Sequence, residues 1–174
     1  MEFFVYHRDR PGSGPLRDTM LEQHWSYMDG FQDRMIARGP TLTPDGETAT
    51  GSVHIVDLAS PAEARAFAFD EPTYQAGVYR DVLLRRWHNV LGRTMWDYPG
   101  DRAGFLVIGL GGHVAPPPSD RLIAYGPLLS DRGDTQLGTA VIIQAPRDVA
   151  EAFLPADDYA AFEVHHWRGG GRPD

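Results

Sequence analysis

Residues 39–56 read GPTLTPDGETATGSVHIV, and residues 126–143 read GPLLSDRGDTQLGTAVII. At a constant offset of 87 the two stretches share seven of 18 positions, those of Gly39, Pro40, Leu42, Gly46, Thr48, Gly51 and Ile55. Similarity at a fixed offset is read before any local signal, because a repeated unit sets the architecture. In the first copy, strands are expected over 41–44 and 49–58, joined by Asp45-Gly46, a strong hairpin turn signal.

Outward from that hairpin, the first half alternates strand and helix signals. Phe3 to His7 is a short β-type run, and the two prolines and two glycines between Arg8 and Pro15 make a loop. Leu16 to Arg38 has no proline, and Leu21, Trp25, Met28, Met35 and Ile36 recur at helical spacing, so one long helix is expected there. Gly39-Pro40 should end it, since proline lacks the amide hydrogen and restricts the residue before it. Ser60-Pro61-Ala62-Glu63 opens a second helix, with Ser60 as N-cap, Pro61 in the first turn and Glu63 at the capping-box position. Asp70 to Gly77 reads as a broken turn and Val78 to His88 as a last strand. The order β-α-β-β-α-β is that of a ferredoxin-like unit.

Residues 91–102 read as a linker, and the pattern restarts at Gly104. Where the first half has its long helix, the second has Gly111-Gly112-His113-Val114-Ala115-Pro116-Pro117-Pro118, and three prolines cannot lie inside a helix. A hairpin around Asp131 to Gly133, a helix near Arg147 to Phe153 and a strand over Ala161 to Trp167 follow. Residues 169–174 are expected to fray. One such unit leaves a sheet face uncovered, and packing two sheets face to face covers both. The expected fold is therefore α+β: two ferredoxin-like halves, 1–90 and 103–168, forming a pseudo-dimeric α+β barrel within one chain.

Composition narrows the function. Hydrophobic residues make up 42% and charged residues 23%, enough for a core. The net charge of −8, without a Lys/Arg-rich block, disfavours nucleic acid as a partner. The absence of cysteine removes disulfides, thiolate catalysis and zinc–thiolate sites. No stretch approaches the length of a membrane span and the N-terminus lacks the features of a signal peptide, so a cytoplasmic protein is expected.

Among residues that can carry chemistry, His24 stands first, mid-helix with Tyr27 and Met28 as neighbours. It reads either as a general acid or base lining a pocket or as a partly buried histidine satisfied by a carbonyl or water. The acidic turn Asp70-Glu71-Pro72 is second. Ser52, after Gly51 inside a strand, can donate to a ligand, although strand geometry alone also explains the glycine. His165 and His166 are adjacent on a strand and point to opposite faces, so they cannot chelate one ion together. No metal site is expected, and no phosphate loop, nucleophile elbow or dinucleotide fingerprint is present. Trp25, Trp87, Trp96 and Trp167 are expected in the core.

Residues 1 to about 88 resemble the YciI-like (YCII-related) family. The resemblance rests on Glu22-Gln23-His24-Trp25-Ser26-Tyr27-Met28, on Gly39-Pro40, on Thr50-Gly51-Ser52 and on Ser60-Pro61-Ala62-Glu63-Ala64. Its most specific piece is Asp70-Glu71-Pro72-Thr73-Tyr74-Gln75-Ala76-Gly77-Val78-Tyr79. The resemblance implies a dimeric α+β barrel and a His/Asp pair at a cleft, and one branch of the family removes chloride from chlorinated hydroxyquinols. Carried over, the histidine is His24. The acid directly before the proline is Glu71 rather than aspartate, with Asp70 one residue earlier, so either can be the partner. Ser52, Tyr27, Met28 and Tyr79 are the expected substrate contacts. Residues 104–168 resemble the family more distantly, with Asp157-Asp158-Tyr159 in the place of the acidic turn.

The expected function is an enzyme without a cofactor, of lyase or isomerase type. It would act on a cyclic or aromatic small molecule by proton transfer in elimination, dehydration, isomerisation or cyclisation. The alternatives are a non-catalytic small-molecule-binding or assembly protein on the same barrel and, further off, a barrel monooxygenase. A homodimer is compatible with either the enzyme or the binding reading.

Overall fold

A computed structural model describes residues 1–172. Eight strands form one closed, wholly antiparallel barrel: β1 (Glu2–Asp9), β2 (Met35–Leu42), β3 (Ala49–Asp57), β4 (Tyr79–Trp87), β5 (Ala103–Leu110), β6 (Leu122–Leu129), β7 (Gln136–Ile143) and β8 (Ala161–Arg168). Their order around the barrel is β1-β3-β2-β8-β5-β7-β6-β4, with β4 returning to β1. The first four strands lie together and so do the last four. The two groups meet at two short seams, Thr41 and Leu42 against Trp167 and His166, and Arg86 and Trp87 against Leu129 and Leu128.

Alternation along the strands sorts the core into three parts. Phe4, Tyr6, Ile55, Leu106, Ile108 and Trp167 fill the lumen. Phe3, Val5, Met35 and Val56 turn outward and pack with Met28, Ala64 and Phe67 from the helices. Phe105, Val107, Leu122 and Val141 form the corresponding outer layer in the second half, with Ala150, Leu154 and Tyr159.

The glycine–proline steps of the repeat lie at the seams. A Cβ at Gly39 would stand 1.9 Å from the carbonyl oxygen of Arg168, and one at Gly126 would stand 2.0 Å from that of His88. Only glycine lets the backbones approach this closely. The register shifts in β2, between Met35 and Ala37 and between Thr41 and Leu42, recur in β6 between Leu122 and Ala124 and between Leu128 and Leu129.

The long helix expected over 16–38 is instead two short helices, α1 (Gly14–Thr19) and α2 (Leu21–Asp29), then a 3-10 turn and β2. Met35, Ile36 and Ala37 are an apolar run buried in the sheet, and their spacing matches a helix only by extension of the preceding pattern. Gly39-Pro40 does not end a helix but lies inside β2. Arg38 directs its N–H to the Met95 sulfur and its carbonyl to Gly170, away from β3. Pro40, two residues on, faces the same way, so its missing N–H removes no rung with β3.

Helix α3 (Pro61–Phe69) forms where its signals place it, with Ser60 Oγ accepting from the Glu63 N–H at 3.1 Å. The turn after it contains a further helical turn, α4 (Pro72–Gln75). The described residues between β5 and β6 hold no helix, and the remaining helix, α5 (Arg147–Glu151), is short. No helix is long and apolar enough to cross a membrane among the described residues.

Two further expectations are corrected. Trp87 and Trp167 are buried, but Trp96 is exposed and Trp25 lies half-buried beside the cavity described below. The tail does not fray over residues 169–172. Gly170 N–H bonds the Arg38 carbonyl, and Arg172 pairs with Glu22 and Asp29 of α2 while its guanidinium lies 5.7 Å from the Trp25 ring. Residues 173–174 lie outside the described residues.

Candidate functional site

His24 and Glu71 meet although 47 residues separate them, with His24 Nδ1 3.0 Å from Glu71 Oε1. The Glu71 side chain is fully buried and that of His24 is 12% exposed. Glu71 is the N-cap of α4, and its other oxygen accepts the Tyr74 N–H at 2.8 Å. Burial pushes the Glu71 carboxyl up, but the hydrogen bond and charge of His24, with the Thr73 and Tyr74 amides, outweigh it and hold the group below the usual carboxylate range. An ionised carboxylate only accepts, so the proton between the two residues belongs to His24 Nδ1. In neutral His24 the lone pair is then on Nε2, which has no hydrogen-bond partner among the described residues.

His24 lines a cavity of about 440 Å³ between α1, α2, the outer face of β2 and β3, and the segment Arg168–Gly171. Both halves of the chain therefore wall it. Ser52 and Met28 line it as well, Met28 as a buried apolar surface. Of the other expected contacts, Asp70 is the exposed C-cap of α3 and does not reach His24. Tyr27 is turned to the helices, its hydroxyl donating to the Ala66 and Phe67 carbonyls at 3.3 Å. Tyr79 is buried behind the site against the His7 ring, 4.6 Å away, and burial followed by the Glu71 charge pushes its phenol up. Neither tyrosine lines the cavity.

Several residues at this site were not expected from sequence. Arg17 of α1 donates to Asp9 Oδ1 at 2.8 Å and to Ser52 Oγ at 2.7 Å. Burial raises the Asp9 carboxyl while Arg17 opposes the rise. His54 of β3 also lines the cavity, with its ring 5.4 Å from that of His24. Desolvation first, then the nearby His24, His7, Arg38 and Arg17, holds His54 well below the ordinary histidine value. His7 of β1 lies beside it and donates from Nε2 to the Ala68 carbonyl at 2.8 Å. Burial lowers His7 to about 4, so at neutral pH both imidazoles are uncharged. The available signal was position: residues 52 and 54 alternate onto one face of a strand, but the sequence alone does not say that this face meets a cavity.

Around Thr139 the face of the sheet is covered by a side chain. Thr139 pairs with Gly109 as Ser52 pairs with His7, and Thr139 lies 87 residues after Ser52. The Tyr159 ring covers Gly109, and its hydroxyl bonds Thr139 Oγ1 at 3.0 Å and the Val114 carbonyl at 3.1 Å. A second cavity, of about 310 Å³, opens beside Tyr6, Arg8 and His165. There His165 Nε2 lies 2.8 Å from Glu163, which also accepts from Arg8 at 2.7 Å. Among the described residues no group of three or more histidine, cysteine or acidic side chains is arranged to hold a metal ion.

The chain is 28% identical over 97 residues to an uncharacterised protein of Haemophilus influenzae, a match covering 52% of this chain and 99% of that protein. It is similar, at 28% identity and a TM-score of 0.49, to the 5-chloro-2-hydroxyhydroquinone dehydrochlorinase of Burkholderia phenoliruptrix, solved with 2,5-dihydroxybenzoquinone. That match covers 53% of this chain and 99% of the other. Residues 1–88 match the YCII-related domain, and through them the chain belongs to the YCII-related family.

Proposed function

We propose that the protein is a small-molecule enzyme of lyase or isomerase type in which His24, held by Glu71, moves a proton on a substrate in the cavity between α2 and β3. The observation that carries this reading is the 3.0 Å contact from His24 Nδ1 to a buried carboxylate, which leaves Nε2 free beside the cavity. The carboxylate fixes the tautomer and stabilises the imidazolium once it forms. Nε2 takes a proton from the carbon next to a carbonyl, and the C–H electron pair moves into the enolate. The proton then returns to another carbon in an isomerisation, or a leaving group departs with its electron pair from the adjacent carbon in an elimination. A cavity of about 440 Å³ suits a compound built on a single ring.

The site occurs once per chain in this reading. Two fused ferredoxin-like halves are supported by the register shifts that recur at an offset of 87 and by the two glycine seams. The second copy has lost the helix that would carry a histidine, and Tyr159 occupies the space of a substrate.

The test is solvent deuterium uptake into a panel of cyclic 1,3-diketones and hydroxyquinones, with a chlorinated hydroxyquinol added to detect chloride release. His24→Gln should lower the rate at least about a hundredfold, and Glu71→Gln at least about tenfold, with the thermal midpoint retained. Unchanged rates in His24→Gln would overturn the reading.

A further inference from the structure

The geometry points to His54 as a second substrate-contacting residue, a neutral hydrogen-bond donor whose Nε2–H binds the oxygen of an enolate- or phenolate-type ligand beside His24. This rests on the proposed reading of the His24 cavity and names the ligand chemistry the cavity takes. His54 is 2% exposed, yet it lines the cavity, and its Nδ1 is sealed in the protein without a partner. A proton on Nδ1 would bury an unsatisfied donor, whereas a proton on Nε2 faces a space that water or a ligand can fill. The neutral tautomer that avoids the buried donor thus carries its hydrogen toward the cavity.

The surroundings keep the ring uncharged and fixed. Its neighbours are His7 on β1, Arg38 paired with it on β2, His24 on α2 and the Phe67 edge on α3, with Arg17 of α1 close by. None offers a carboxylate to His54: Glu71 is bonded to His24, and Asp9 to Arg17. A donor that stays neutral binds a developing oxyanion without first losing a proton to it, and a packed ring needs no reorientation as charge develops. His24 and His54 then divide the work, His24 taking the proton from carbon and His54 receiving the charge on oxygen. The ligand class is a small cyclic carbonyl compound that ionises to an enolate or phenolate.

4-Nitrophenol is a suitable probe, because its anion presents such an oxygen and its visible absorbance reports binding at equilibrium without turnover. The native protein should bind nitrophenolate saturably. His54→Phe, which keeps a ring and removes the donor, should weaken binding roughly tenfold or more, while His54→Gln, which keeps a donor at similar reach, should stay within about threefold of native. Nitrogen-15 spectra of the histidine-labelled native protein should place the His54 proton on Nε2, a readout independent of whether either variant folds. Equal binding in His54→Phe, absence of binding to the native protein, or a proton on Nδ1 would each overturn the assignment. Since these readouts involve no proton abstraction, they stand or fall separately from the deuterium-uptake test of His24.

Discussion

Three histidines share one patch of this molecule, and their surroundings give them different chemistry. His24 bonds a buried carboxylate; His54 and His7 are desolvated, and at His7 the Ala68 carbonyl and the Glu71 charge offset the burial only in part. His7 makes the consequence measurable. Its value falls from 6.5 to about 4 on folding, so between those pH values the unfolded chain binds the proton and the folded chain does not. Stability is therefore fully present above pH 6.5 and declines as pH falls toward 4, by on the order of 3 kcal/mol from His7. His54 acts in the same direction. Urea unfolding across this range should show the decline, and His7→Gln should flatten it. His24 and Glu71 were legible because each stands in a local pattern, an amphipathic helix margin and an acid-proline turn. His7, His54 and Arg17 were not, since each is a single polar residue whose partners lie far along the chain.

At the level of elements, the hairpin turns and the Ser60 cap were read well, whereas the first helix and the strand after it, expected over 41–44 and found at Met35–Leu42, were not. Turn chemistry at Asp45-Gly46 and the Ser60 cap are decided within a few residues, so the sequence displays them. The boundary at Met35 is decided by burial between β3 and the helices, which no local window contains. The Gly-Pro step was read as the end of a helix, and its actual role appears only in three dimensions, at the seams where the barrel closes. Gly126 tests that reason away from the His24 cavity. Gly126→Ala drives a methyl group against the His88 carbonyl and should cost on the order of 2–3 kcal/mol, read as a lowered urea midpoint. An unchanged midpoint would show that the seam yields freely.

Across the whole molecule, register shifts recur at an offset of 87 while the polar residues on the two groups of strands differ. The barrel closes within one chain, and the segment Arg168–Gly171 of the second half walls the cavity of the first. The sequence similarity at an offset of 87 and the three prolines at 116–118 are both visible without a structure. That Tyr159 covers Gly109 was not visible, because it depends on a contact with Thr139 across the sheet. The chain also offers a second histidine–carboxylate pair, His165 with Glu163, in a different cavity. Under the proposed function proton transfer falls on His24, and His165 has no part in it. The direct measurement is deuterium uptake by the native protein, His24→Gln and His165→Gln on one substrate. The expected result is a loss of at least about a hundredfold in His24→Gln and a native rate in His165→Gln; a native rate in His24→Gln, or loss on replacing His165 alone, would contradict the assignment of His24.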